Sequence, residues 1–249
     1  MIFFKVQHHT INIMKTTKRD LTLFRTPLTP SYWRLAFGEC RSLKMITLTA
    51  ILVAICGILD IFFIPIVNAN VLQIKFSFFA IALCAMVCGP VLAIPAGFLI
   101  DTIGFLLGGN LAGGYFFGYA ISSICSCVIF ALFFYRAKRI TVLRKALAKL
   151  AVSTAVNVFL GSVWRQIMVG KGYWYYVGLA AVKNAALLPL EVAVLIIFLG
   201  RMLPLLKRAK IISPEAEFSM TRRDIISTVV IGVVGIAALA AYVVWKLQK

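Results

Sequence analysis

The sequence predicts an all-α integral membrane protein: a six-transmembrane-helix bundle with an additional C-terminal transmembrane helix. Three observations carry this reading. Apolar residues make up 62% of the 249 residues and charged residues only 14%, against about 45–50% and about 25% in ordinary soluble domains. Mean hydropathy is +0.98. The charges are also unevenly placed: between Met45 and Tyr135 the charged residues are Asp60, Lys75 and Asp101 alone. A chain that cannot cover itself with polar groups takes lipid as its solvent. Such a composition excludes a soluble globular domain, a secreted disulfide scaffold, a disordered tail and a nucleic-acid-binding domain.

The elements follow in chain order. Met1–Phe4 is far shorter than the apolar core of a signal peptide, which needs about 7–15 residues. Residues 1–44 carry Lys5, Lys15, Lys18, Arg19, Arg25, Arg34, Arg41 and Lys44. They form a basic cytoplasmic N-terminal segment, helical along the membrane interface after Pro30. A spanning helix needs about 20 mostly apolar residues. Span one is Met45–Ile64, ended by Pro65. Span two, Phe76–Cys88, is short and is closed by the turn signal Gly89-Pro90. Span three runs from Pro90 to Leu107 and is followed by Gly108, Gly109, Gly113 and Gly114. Span four is Tyr115–Tyr135, span five Leu147–Met168 and span six Val177–Leu203. Ile225–Trp245 is long enough to be a seventh. The domains expected are therefore the segment 1–44, a transmembrane substrate-binding unit at 45–203, a basic cytoplasmic linker at 204–224 and the extra helix at 225–249.

The net charge of +18 comes from 26 Lys plus Arg against 8 acids. On a soluble protein this would suggest nucleic acid, but here the basic residues lie in blocks between apolar stretches. One block holds Arg136, Lys138, Arg139, Arg144, Lys145 and Lys149. Another holds Arg201, Lys207, Arg208, Lys210, Arg222 and Arg223. Connections one to three hold only Lys75. By the positive-inside rule the N-terminus, the fourth connection and the segment after span six are cytoplasmic. Connections one, three and five then face outward. The basic blocks also suit membrane lipid with anionic headgroups.

Ionisable residues within spans point to function, because burying them is costly. Asp60, Asp101, Arg165 and the pair Lys183-Asn184 all fall in the outward half of their spans. Together they suggest a polar cavity open to the outside; two structural ion pairs are the other explanation. The adjacent loops are rich in glycine and aromatics: Gly108-Gly109-Asn110-Leu111-Ala112-Gly113-Gly114-Tyr115-Phe116-Phe117, and Gly170-Lys171-Gly172-Tyr173-Trp174-Tyr175-Tyr176. An interfacial aromatic belt explains much of the second cluster. Glu191 and Asn157 lie deeper, and Glu191 reads as a contact within the bundle. Ala50 and Ala54 share one face of span one and let another helix come close, either inside the bundle or on a partner subunit.

Five of the six cysteines, Cys56, Cys84, Cys88, Cys125 and Cys127, lie in apolar segments without histidine. They read as small hydrophobes, so no metal or cofactor is expected. The phosphate-loop pattern and H-E-x-x-H are absent, and both histidines, His8 and His9, sit in the tail. The chain is expected to be no enzyme and to hydrolyse no ATP itself.

Three stretches resemble the S components, the substrate-binding membrane subunits, of energy-coupling-factor (ECF) vitamin transporters, especially the folate type. The first is Leu72-Gln73-Ile74-Lys75-Phe76-Ser77-Phe78-Phe79, followed by Gly89-Pro90 and Asp101-Thr102-Ile103-Gly104-Phe105. The second is Val156-Asn157-Val158 with Val163-Trp164 and Gly170-Lys171-Gly172-Tyr173-Trp174. The third is Val182-Lys183-Asn184 with Leu188-Pro189-Leu190-Glu191. The resemblance covers roughly residues 45–203. The long N-terminus and the segment after Arg201 depart from it, as does Ala181-Val182, where many folate-type members place an arginine. It implies a subunit of the bacterial plasma membrane that binds a folate-like vitamin from outside. Its partners would be a transmembrane scaffold subunit and two cytoplasmic ATPases. The ligand contacts it and the polar depths nominate are Lys75, Asp101, Tyr115, Asn157, Trp164, Arg165, Lys183 and Asn184. The Ala50/Ala54 face would meet the scaffold, and the outward loops would close over ligand. Another vitamin, a purine-like precursor, or a stand-alone proton-coupled permease using Asp60, Asp101 and Glu191 are the competing readings. A lipid-modifying membrane enzyme would need a nucleophile or metal cluster.

Overall fold

The computed structural model describes residues 22–24, 26, 27, 29–61, 63–67, 72–75, 77–108, 114–170, 172–213, 215 and 222–247. Lys171 and residues 109–113 of the expected loops lie outside them, as do His8 and His9. Pro30 opens helix α1 (Pro30–Glu39), as expected of a residue whose missing N–H costs nothing in a first turn. Helix α2 (Leu43–Ile61) follows. A two-stranded antiparallel hairpin comes next, β1 (Phe63–Val67) paired to β2 (Leu72–Lys75), with Phe63 opposite Lys75. Then come α3 (Ser77–Leu107) and α4 (Phe117–Phe134). Helix α5 (Val142–Val152) runs through a π-helical segment, Ser153–Leu160, into α6 (Gly161–Val169). The chain ends with α7 (Tyr173–Arg208) and α8 (Arg222–Leu247).

Among the described residues five helical stretches are long and apolar enough to cross a membrane: Leu43–Asp60, Ser77–Leu107, Phe117–Phe134, Val142–Val169 and Tyr173–Arg208. Ile226–Tyr242 in α8 is a shorter apolar stretch. The protein is a multi-pass helical membrane protein. Expected spans two and three are the two limbs of α3. Gly89, at φ 77 and ψ 173, breaks the helix between them. Asp60 shows how sharply. The Ser77 hydroxyl donates to Asp60 Oδ1 at 2.7 Å, and a Cβ added to Gly104 would lie 2.9 Å from Asp60 Oδ2. A straight helix would hold Ser77 and Gly104 about 40 Å apart. Element α3 therefore doubles back at Gly89-Pro90, with Cys88 at the bend accepting from the Thr49 hydroxyl of α2 at 3.1 Å. Only glycine fits there. Its φ is positive, and a Cβ would meet the Tyr135 ring at 2.8 Å.

The core lies around the short limb of α3. Ala82, Val87, Cys88, Cys127, Ala131, Leu195 and Leu199 are all buried there. Cys56 and Cys84 join them, each as a free thiol. Helix α8 packs on α7 through Thr228, Gly235 and Tyr242, buried at heptad spacing. At Gly235 the backbones approach so closely that a Cβ would lie 2.5 Å from Leu190 N.

Three sequence expectations change. The first connection is not loop alone but carries the hairpin, with Ile64, Ile66 and Val67 in its first strand and Ile74 in its second. Span five starts earlier, at Val142, with Thr141 capping Arg144 N. Lys145 and Lys149 thus belong to a helix, 0% and 2% exposed, rather than to a cytoplasmic connection. Span six starts at Tyr173, so the aromatic cluster Tyr173–Tyr176 forms its first turn.

One end of the bundle is closed by a tight cluster. Arg136 Nη2 pairs with Glu39 Oε1 of α1 at 2.9 Å, both side chains 7% exposed. Arg136 Nε donates to the Tyr135 hydroxyl at 2.9 Å. Tyr32 of α1 packs edge-on against Tyr135, with ring centroids 5.4 Å apart, and burial pushes both phenols up. Phe24 bridges to Ala137. This is the basic end; Gly108, Gly114, Gly170 and Gly172 mark the opposite, glycine-rich end.

Candidate functional site

The polar side chains toward the glycine-rich end come from four helices. On the returning limb of α3, Thr102 Oγ1 donates to Phe98 O at 2.9 Å and meets the Tyr115 hydroxyl at 3.3 Å. The Phe105 ring stands edge-on to Tyr115 at 5.3 Å. Asp101 is a hydrogen-bonding neighbour of the same phenol. Burial first, then Asp101, pushes the Tyr115 phenol up. The structure thus brings Asp101 and Tyr115 together, with Thr102 and Phe105 as neighbours that no charge pattern announced.

Trp164 of α6 turns to α4. Its indole Nε1 donates to Ser122 Oγ at 2.9 Å, and its ring meets Phe116 edge-on at 5.8 Å. Gly118 makes the room, since a Cβ there would come within 2.7 Å of Trp164 Cδ2. A half-buried indole with its N–H satisfied is a fixed apolar wall.

The seam between the π-helical segment and α7 holds the third group. Asn184 Oδ1 accepts from Ser153 Oγ at 3.1 Å and from Asn157 Nδ2 at 3.2 Å, while Asn184 Nδ2 donates to Ala180 O at 2.8 Å. Asn157 remains exposed although it sits inside a span. Lys183, beside Asn184, and Arg165, beside Trp164, are both half-buried. π-helical turns are rare and recur at functional positions; here the turn begins at Ser153, so it carries both donors to Asn184.

Lys75 ends β2 opposite Phe63; its side chain lies outside the described set. Asp60 does not join the polar groups as an open ligand, because Ser77 occupies Oδ1. Glu191, which has no visible partner in the sequence, pairs with Lys149 Nζ at 3.1 Å. Ala50 and Ala54 are exposed, on the α2 face that also shows Leu43, Ile51 and Ile58. Among the described residues nothing covers that face.

No family model matches the chain. It is similar to the folate transporter FolT of Clostridium novyi (strain NT), 30% identical over 129 residues that cover 52% of this chain and 73% of that one. It is also similar to the folate transporter FolT of Leuconostoc mesenteroides, 26% identical over 133 residues, 51% of this chain and 71% of that one. Among solved structures, a crystal structure of FolT bound with folic acid superposes with a TM-score of 0.55 at 26% identity, covering 65% of this chain and 95% of the other. With that identity over nearly three quarters of a relative, and a matching fold, the chain belongs to the FolT family of folate transporters, the folate-type S components that its sequence resembles.

Proposed function

We propose that this chain captures folate or a related pterin from outside a bacterial plasma membrane, its N-terminus cytoplasmic, and delivers it with a separate scaffold subunit and two ATPases. One observation carries the site: Asn157 is exposed in the middle of a membrane helix while bonded to Asn184. A polar amide facing lipid tails is costly, which favours a polar cavity over lipid as the surface that Asn157 faces. Lys183, beside Asn184, and Arg165, nearer the glycine-rich end, suit the carboxylates of a glutamate tail. Trp164 and Tyr115 suit the faces of a flat heterocycle. Asp101, Asn157 and Asn184 supply acceptors and donors for its edge, and Lys75, at the end of β2, is a further candidate contact. FolT bound with folic acid, at 26% identity, supports the substrate class.

The proton-coupled alternative has less support. Asp60 bonds Ser77, Asp101 neighbours Tyr115 and Glu191 pairs with Lys149, so the three acids form separate contacts. The exposed Ala50/Ala54 face favours docking over packing within the bundle. The test is a folate titration of the purified subunit, with mass spectrometry of co-purifying ligand, followed by Ala54→Trp. Binding by the isolated variant should persist, and uptake in cells supplied with scaffold and ATPases should fall sharply. Loss of both, or of neither, removes the docking role; no binding of any pterin by the native chain removes the substrate reading.

A further inference from the structure

Helix α7 carries Lys183 and Asn184 above Pro189 and Glu191 below it. Pro189 has no N–H for the carbonyl one turn back, so the helix has a weak point between the two halves. Lys149, Ser153 and Asn157 follow at intervals of four on the facing segment. All three reach α7: Lys149 Nζ to Glu191 Oε2 at 3.1 Å, Ser153 to Asn184 at 3.1 Å and Asn157 to Asn184 at 3.2 Å. The lowest rung is buried, its side chains 3% and 13% exposed. The Phe78 ring covers the Lys149 ammonium at 4.1 Å, and the adjacent Phe79 packs on Phe198 of α7 at 4.3 Å. The short limb of α3 thus covers Lys149 and packs on α7 two turns below Glu191.

We infer that Lys149 and Glu191 are a positioning pair. They pin α7 beneath Pro189 and so hold Asn184 in register with Ser153 and Asn157. This rests on the reading of Asn157 and Asn184 as ligand contacts. A buried ion pair adds little stability over an apolar pair of similar size; its contribution here is register, fixed by two charges that tolerate few geometries.

The experiment uses the full chain and the double variant Lys149→Met/Glu191→Leu, whose fold should be as stable as the native one or more so. Spin labels placed by a non-thiol chemistry at exposed Phe159 and Val182 report the distance across the seam, with or without ligand. The distance distribution should broaden in the variant, and folate should dissociate about tenfold faster, the worth of one good hydrogen bond. A native-width distribution with native dissociation overturns the positioning role. Broadening in a protein whose native form binds no folate upholds the positioning and sinks the folate reading instead. Should the double variant not fold, Glu191→Gln, which keeps shape, is measured with the same two outcomes.

Discussion

The two ends of the bundle use polar residues in opposite ways. At the basic end, Arg136 bonds Glu39 and Tyr135, and the three side chains are buried. Toward the glycine-rich end, Asp101, Arg165 and Lys183 are only half-buried, and Asn157 is exposed. A buried group bonded to its neighbours is a strut; a half-exposed polar group keeps a surface that a ligand can reach. Residue type does not separate the two roles, since arginine occurs in both. Partner and burial do.

Three experiments break or sharpen this contrast. The largest effect is all-or-none and concerns which end faces out. With Lys138→Cys and Gly172→Cys, an impermeant thiol reagent on intact cells should label position 172 and leave 138 untouched; both are exposed. The reverse pattern inverts the topology. Next is Arg136→Ala, which removes the ion-pair partner of the buried Glu39 carboxylate at the basic end. It should destabilise the fold by about 3–5 kcal/mol, read as a lower melting temperature in detergent, while the protein still folded binds folate with native affinity. Smallest is Lys183→Ala. A hydrogen bond to a charged group is worth about 1.5–3 kcal/mol, so calorimetry should find folate affinity reduced about tenfold or more with the melting temperature unmoved. Unchanged affinity in a folded variant takes Lys183 out of the site.

Much of the fold is legible in the sequence, because apolar runs and Gly-Pro punctuation act locally. Gly89-Pro90 announces the break in α3, and Pro30 announces α1. The start of α5 is not legible: Lys145 and Lys149 read as loop because charge usually means water, and only tertiary packing buries them. The hairpin hides in an apolar run that also suits a helix end. At the site, Asn157 and Lys183-Asn184 stand out as polar residues in spans, and their seam is real. What pairs with them is not legible. Ser153 and Ser122 are ordinary residues in helices, and the Lys149–Glu191 contact joins distant segments whose meeting no local rule encodes.

The doubled-back α3 bears on how the chain enters the membrane. Its first limb, Ser77 to Cys88, is about 18 Å long at helical rise, well short of the roughly 30 Å hydrocarbon layer. Lipid alone cannot hold it as an independent span. It is held instead as one arm of a helical hairpin bent at Gly89-Pro90, against α2, whose Thr49 and Asp60 meet its two ends. A side chain at position 89 therefore acts on both limbs at once: its Cβ would meet the Tyr135 ring at 2.8 Å, and opening the bend takes the short limb away from both of its anchors on α2.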